Sequence, residues 1–359
     1  MTVAITLSEN KSATQIRIMR EDEAKTVQQL GRRAFSSLES LFISLPKEAI
    51  VAIEGEKIVG AVILKLLKGE QGVLIGDFSA GFVDPACRGR GIASQLYKAA
   101  TKRFWELGCT FITAQVKDEN AGSWRALEKS GFARVTYMEL RRLLGIRGLV
   151  SVLKSTPTAF AYGMDLYLAA RTVPVKKRAD SNLLQIATYI LLNLIMVCTA
   201  LLLNRQLHLG WFLLAYGALL IGELLFTRIG LISEHRWNFR LTNCGFIIPL
   251  LVPILGGVFP MLGNWIPEKY ENTSRFRWIV GGGAVMGWIY LLLTVALSKW
   301  VWTDLEFTSY LYRLGSILLI YKLLPVYPFE GFGSLRVYRM NKFIYSAMAA
   351  ISLVVLFLL

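Results

Sequence analysis

Beyond Leu183 this chain reads like a different molecule. Up to about Arg178 charged residues are interspersed everywhere, whereas afterwards uncharged apolar runs dominate, the first covering residues 183–203. A run of that length crosses a hydrocarbon core of about 30 Å, with its backbone polar groups satisfied inside the helix. The averages are 54% hydrophobic residues, a mean hydropathy of +0.46 and 18% charged residues, a mixture unlike an ordinary soluble domain. A soluble domain followed by a membrane domain reconciles them.

The N-terminal "MTVAITLSENKSATQ" has no basic stretch leading into an apolar core, so no cleaved export signal is expected. Cys87, Cys109, Cys198 and Cys244 show neither C-x-x-C spacing nor a dense framework, which suits a reducing compartment. The expectation is an integral, multi-pass membrane protein with its N-terminal domain in the cytoplasm. The formal charge of +15 lines no recognisable nucleic-acid-binding element, so no nucleic-acid partner is expected. Arg141, Arg142, Arg147, Lys154, Arg171, Lys176, Lys177 and Arg178 instead precede the first apolar run, where they suit the anionic face of a lipid bilayer.

Within the soluble part, "QIRIM" reads as a strand and "REDEAKTVQQLGRRAF" as a helix with Val27, Leu30 and Phe35 inward. "AIVAIEGEKIVGAVILKLL" gives two strands around a turn, and "GVLIGDFSAGFV" another strand. "VDPACRGRGIASQLYKAA" then places two arginines and two glycines at the start of a helix. The first amides of a helix lack internal partners and lie at its positive end, and glycines let them approach an anion. After that helix come a strand, "TFITAQV", a short helix, "NAGSWRALEKSG", and a last strand, "FARVTYMEL".

This order, with Arg88, Gly89, Arg90, Gly91, Ile92 and Ala93 between strand and helix, resembles the GNAT family of acyl-CoA N-acyltransferases. The family pattern R/Q-x-x-G-x-G/A is matched from Arg88 to Ala93, and "ENAGSWRALEKSGF" resembles its second motif. The likeness covers about residues 15–140 and implies an α/β GNAT fold, a mixed central sheet flanked by helices. By resemblance, the anion is the diphosphate of acetyl-CoA as acyl donor, the backbone at Phe82 and Val83 pairs with its pantetheine arm, and Asn120 lies near the same cofactor. Asn120 suits a helix cap equally well.

In the related N-terminal acetyltransferases a glutamate on the strand before the second motif deprotonates the amine, and a tyrosine in the following helix protonates the thiolate. Gln115 and Leu127 stand at those places here, and neither does acid or base work. The remaining candidates are Asp77 and Asp84, flanking the fourth strand, as base and Tyr137 on the last strand as proton donor. Orientation alone also accelerates attack of a neutral amine on a thioester.

Beyond residues 183–203, the stretches 211–232, 278–297 and 309–326 are long enough to span, and "KFIYSAMAAISLVVLFLL" makes a fifth. "GFIIPLLVPILGGVFPML" is interrupted by Pro249, Pro253, Gly256, Gly257 and Pro260. Arg236 and Arg240 precede it, Lys269, Arg275 and Arg277 follow it, and Arg336, Arg339 and Lys342 follow the fourth span. Basic loops favour the cytoplasm, so five spans with a re-entrant element are expected, six spans being the alternative. The expected division is 1–145 for the acyltransferase domain, 146–182 for a basic juxtamembrane linker and 183–359 for an α-helical multi-span membrane domain.

"FRLTNCGFIIPLLVPILGG", "GGGAVMGWIYLLL" and "LLPVYPFEGFGSL" resemble a degenerate member of the site-2-protease family of intramembrane zinc metallopeptidases over about residues 207–340. Its H-E-x-x-H motif is missing: the two histidines, His208 and His235, flank the relevant span, and Glu330 stands where the family places an aspartate ligand. Neither a metal nor protease activity is expected. Glu223 inside that span is costly there, and pairs with Arg228 or another base, or lines a pocket for substrate. Together these readings imply a membrane-anchored N-acetyltransferase acting on a primary amine, such as that of a peptide or hydrophobic substrate held by the membrane domain. The alternative is a non-catalytic acyl-CoA-binding module coupled to a pseudoprotease-like binding domain.

Overall fold

The computed structural model describes residues 14–358 apart from 36, 118–119, 157–162, 173–174, 176–180, 204–208, 243–246, 269–270, 272, 302–304 and 327–328. Lys176, Lys177, Arg178, His208, Cys244 and Lys269 therefore lie outside the described residues. The chain divides into two compact units, one of residues 1–115, 122–155 and 167–176, the other of residues 116–121, 156–166 and 177–359.

Alternating and β-branched runs make the first unit a sheet. Strands β1 (Gln15–Ile18), β2 (Glu48–Glu54), β3 (Lys57–Lys68) and β4 (Leu74–Val83) pair antiparallel in succession. β5 (Phe111–Val116) joins β4 in parallel, and β6 (Ala133–Val135) and β7 (Asp165–Ala170) complete the order β1-β2-β3-β4-β5-β7-β6. The helices are α1 (Ala24–Ala34), α2 (Ser37–Ser40), α3 (Ile92–Glu106), α4 (Ala121–Lys129) and α5 (Tyr137–Ser155).

Side chains alternate across a strand, so β4 serves two layers. Phe78 faces α3, its ring centroid 5.5 Å from those of Tyr97 and Phe104, and 5.4 Å from that of Phe132. Its neighbour Asp77 faces the other way and meets Ser155 at the end of α5. On the α1 side, Val27, Leu30, Ile43 and Phe82 share a buried cluster.

Two expectations are corrected here. "FARVTYMEL" is a strand only at Ala133–Val135, because Thr136 caps a helix that begins at Tyr137. Thr136 N donates to Glu139 Oε2 over 2.7 Å and Glu139 N donates to Thr136 Oγ1 over 3.2 Å, the reciprocal pair of a capping box. The stretch 146–182, read as a linker, contains the second half of α5 and all of β7, whose end meets β5 through Arg171 N donating to Thr110 O over 3.0 Å. Its continuous apolar run, "LYLAA", is that of a strand buried on both faces.

The second unit is mostly helical: α6 (Asn182–Leu203), α7 (Leu209–Gly230), α8 (Ile247–Ile254), α9 (Ser274–Trp300), α10 (Glu306–Tyr321), α11 (Ser334–Met340) and α12 (Lys342–Leu353). Two helices, Leu209–Gly230 and Ser274–Trp300, are long and apolar enough to cross a membrane, while Asn182–Cys198 and Lys342–Phe357 form shorter apolar helices. The proline-interrupted stretch is not one continuous helix. α8 has eight residues, and the strands flanking the stretch, β8 (Trp237–Leu241) and β9 (Gly263–Pro267), pair antiparallel with Leu241 opposite Gly263. Chain entering beyond Leu241 thus returns beside it. Pro253 inside α8 and the turn at Gly256, with φ +87°, explain why the helix stops.

Trp288, Tyr216, Leu219 and Leu319 form the dry centre of this unit, together with polar Asn193, Lys322 and Ser352. Leu191, Ile195, Leu214, Ile221, Leu225 and Leu293 are exposed. Large apolar side chains thus stand both inside and outside this unit, and the charged group of Lys322 is buried among them.

Candidate active site

β4 and β5 pair over only four rungs, from Ile75 with Phe111 to Phe78 with Ala114. Ser79 is an extra residue in β4, since Ile63 opposes Ala80 and Leu64 opposes Phe78. A bulge bends its strand and sharpens the twist, so β4 turns away from β5 here. From Ser79 to Val83, β4 continues its pairing with β3 while its other edge has no β5 rung among the described residues. An extended ligand arm can add hydrogen bonds along such an edge. Phe82 and Val83 lie on it.

At the end of β4, Asp84 caps a short turn by accepting from Ala86 N over 3.0 Å, and the chain passes through Arg88–Gly91 into α3. Gly89 and Gly91 adopt φ +81° and +80°, a left-handed conformation costly for other residues. Gly91 is the N-cap and supplies no side-chain cap, so the first amides of α3, at Ile92 and Ala93, face outward at the positive helix end. Uncapped amides of this kind suit an anion.

The two arginines are each held by partners of their own. Arg88 donates to Val83 O over 3.3 Å and to Ala34 O over 3.1 Å, tying the loop to β4 and α1. Arg90 grips Glu54 with Nη1 at 3.0 Å from Oε2 and Nη2 at 2.7 Å from Oε1. Both brace the loop through these contacts. Asn120 directly precedes α4, where a cap would stand.

Among the acid and base candidates, Asp77 is inside β4, not flanking it, and is fully buried. Its Oδ2 accepts from Ser155 Oγ over 2.5 Å, and its Oδ1 accepts from Thr113 Oγ1 over 2.8 Å and from Gln115 Nε2 over 3.2 Å. Burial pushes this carboxyl above the ordinary aspartate range, against the opposing pull of those donors and of the Lys65 charge. Asp84 is the contrary case. The Ala86 amide, with Lys57 nearby, holds its carboxyl low, which suits a cap better than a base. Tyr137 sits at the first turn of α5 with its hydroxyl buried, away from the strand position expected for it.

Sequence reasoning missed two neighbours of the cleft. Ser155 is reached only because α5 extends to it, and no local motif marks it. Tyr97 hydrogen-bonds Ser123 of α4, and its hydroxyl packs so close to Gly81 that a Cβ there would lie 2.6 Å away. It brings a phenol beside the open edge of β4, while Leu127 is a fully buried apolar contact.

In the second unit, Glu223 pairs with Lys322, Oε1 to Nζ 2.6 Å, and not with Arg228, whose guanidinium lies over the Trp265 ring. Lys322 also donates to Phe332 O over 2.8 Å. The pair borders a cavity of about 50 Å³ that Tyr189, Asn264, Trp265 and Arg336 help to line. Among the described residues no group of three or more His, Cys, Asp or Glu is placed to hold a metal ion.

The profile of the acetyltransferase (GNAT) family matches residues 16–132. No curated protein matches the chain. Among solved structures, the chain is similar to the NatC complex bound to Gag peptide and CoA, at 16% identity over 44% of this chain and 99% of that one, with a TM-score of 0.31. The YhbS N-acetyltransferase from Escherichia coli in complex with CoA is 19% identical over 35% of this chain and 72% of its own, with a TM-score of 0.29. A ribosomal-protein-alanine N-acetyltransferase from Brucella melitensis biovar Abortus is 20% identical over 33% and 89%, with a TM-score of 0.28. The family match ends at the Gly-Phe before β6 and includes the bulged β4, the glycine turn and α3. Residues 16–132 form an acetyltransferase domain of the GNAT family.

Proposed function

We propose that the protein transfers the acetyl group of acetyl-CoA to a primary amine. The observation that carries this reading is the left-handed Gly89 and Gly91 turn, which presents uncapped helix amides beside the unpaired edge of β4. The turn suits the diphosphate and the strand edge suits the amides of the pantetheine arm, which brings the thioester to the bulge at Ser79.

The amine nitrogen attacks the acetyl carbon, the C–N bond forms as the C–S bond breaks, and the nitrogen loses a proton while the thiolate gains one. Asp77 is too deep to meet the amine. Ser155 is partly exposed, so its hydroxyl takes the amine proton as it passes its own to Asp77 Oδ2. A carboxyl raised by burial is a stronger proton acceptor than an ordinary aspartate. Gln115, fixed by its bond to Asp77, orients the amine, and Tyr97, beside the open edge of β4, donates to the departing sulfur.

We further infer that the second unit is embedded in a bilayer, with five spans and a re-entrant α8, and that the first unit faces the cytoplasm, where acyl-CoA is found. Its two long apolar helices, its exposed apolar side chains and the hairpin-like return from β8 to β9 support this. As in the family it resembles, a peptide or hydrophobic substrate would lie against this unit near the polar groups Glu223 and Lys322, here without a zinc ion or proteolysis. Calorimetry of the detergent-solubilised full chain with CoA tests the first claim. Binding abolished by Gly91→Pro is expected, and affinity unchanged by that variant would sink the assignment. Binding without any acetyl transfer would favour the non-catalytic module.

A further inference from the structure

We propose that the outer face of α5 seats the acetyltransferase domain on an anionic bilayer surface, an inference that rests on the reading that this chain is embedded in a membrane. The inner face of α5 is settled: Leu140, Leu144, Gly148 and Val152, four residues apart, are buried toward the sheet. The helix breaks at Gly145, where φ is +70°, and restarts with Arg147 N donating to Glu70 Oε1 over 3.2 Å. What remains outside is unusual for a water-facing helix. Leu143, Ile146 and Val150 are 43%, 58% and 38% exposed, and Met138 at the first turn is 82% exposed.

These apolar side chains are flanked by exposed Arg141, Arg142, Arg147 and Lys154. The single carboxylate of the helix, Glu139, is committed to the cap at Thr136. Apolar side chains between basic ones on one exposed face is the arrangement of helices that lie in the interface, where the apolar groups enter the acyl boundary and the cations meet anionic headgroups. A water-soluble partner protein would account for the leucine and isoleucine but gives no reason for four basic residues around them. In a chain carrying apolar helices just after β7, an anionic lipid surface is never far away.

The test uses the full chain in lipid nanodiscs, with Cys87, Cys109, Cys198 and Cys244 replaced and one cysteine introduced at Ile146 to carry an environment-sensitive fluorophore. A second preparation carries the label at Lys129, an exposed position on α4. In phosphatidylcholine discs containing phosphatidylglycerol, the label at 146 is expected to shift to the blue and be quenched by a bilayer-embedded quencher, and the label at 129 is not. Replacing Arg142, Arg147 and Lys154 by glutamine is expected to reduce the docked-to-undocked ratio roughly a hundredfold, at about 1 kcal/mol per charge. Equal emission from both positions in a chain that withstands alkaline extraction overturns the docking while leaving the membrane reading intact. Loss of the chain on alkaline extraction overturns the membrane reading itself. A blue shift in discs of phosphatidylcholine alone, insensitive to the glutamines, points to a protein contact and also overturns the proposal.

Discussion

Gln115 Nε2 donates to Asp77 Oδ1 over 3.2 Å immediately beyond the rung where β4 and β5 part. Gln115 is therefore attached to a carboxylate one strand away, the group to which the proposed mechanism assigns the proton transfer. Because the folded state raises the Asp77 pKa, its protonated form is favoured on folding. The stability it gives is complete below the ordinary aspartate value and is lost as pH rises through the raised one. Asp77→Asn is expected to stabilise the protein more at pH 8 than at pH 4 while reducing kcat by about 10²-fold or more, the usual yield of a proton acceptor. Denaturation and rate profiles against pH check both. A variant with unchanged kcat removes Asp77 from the chemistry.

Ser155→Ala separates the relay from the buried charge. Its loss takes one donor from Asp77 and is expected to lower kcat with little change in the KM for acetyl-CoA, since the cradle at Gly91 is untouched. Steady-state kinetics decide, and a change confined to KM contradicts the relay.

At the other end of the sheet, Glu23 accepts from Arg17 Nη2 over 2.5 Å and from Arg20 N over 2.8 Å. The Arg17 guanidinium, with that amide, holds its pKa down from 4.5 to about 2. This stabilisation is present above the ordinary glutamate value and is lost as pH falls through about 2. Acid unfolding of Glu23→Gln is expected to be flatter than that of the parent between those limits. Parallel curves would remove Glu23 from the acid response.

These particulars show what the sequence disclosed. Strands β1 to β5, helices α1, α3 and α4, and the glycine turn were legible because their apolar spacing and glycine positions are local. The start of α5 reads as strand because Ala133, Val135 and Tyr137 mimic alternation, although Thr136 and Glu139 spell a helix cap. Ser155 was out of reach, since it meets Asp77 only through a long excursion of chain. The bracing by Arg88 and Arg90 was hidden for the same reason: Ala34 and Glu54 are their partners in space, not in sequence.

Lys322 was equally invisible as the partner of Glu223, with three helices between them in the chain. Lys322 is buried and Glu223 only partly so, and removing either charge leaves the other uncompensated, so Glu223→Gln and Lys322→Met are each expected to cost up to about 3–5 kcal/mol. The double variant is expected to recover most of that. Thermal unfolding of the four proteins in one detergent closes the cycle, and additive losses would mean that the two side chains are energetically independent.

Acetyl transfer itself is the most direct measurement. Membranes containing the full chain are incubated with acetyl-CoA radiolabelled in the acetyl group, alongside membranes containing Gly91→Pro or Asp77→Asn. Label is expected to pass to an amine-bearing product in the parent, at a rate that falls steeply in both variants. Transfer no faster than in membranes lacking the protein, or equally fast in all three proteins, would contradict the acetyltransferase reading.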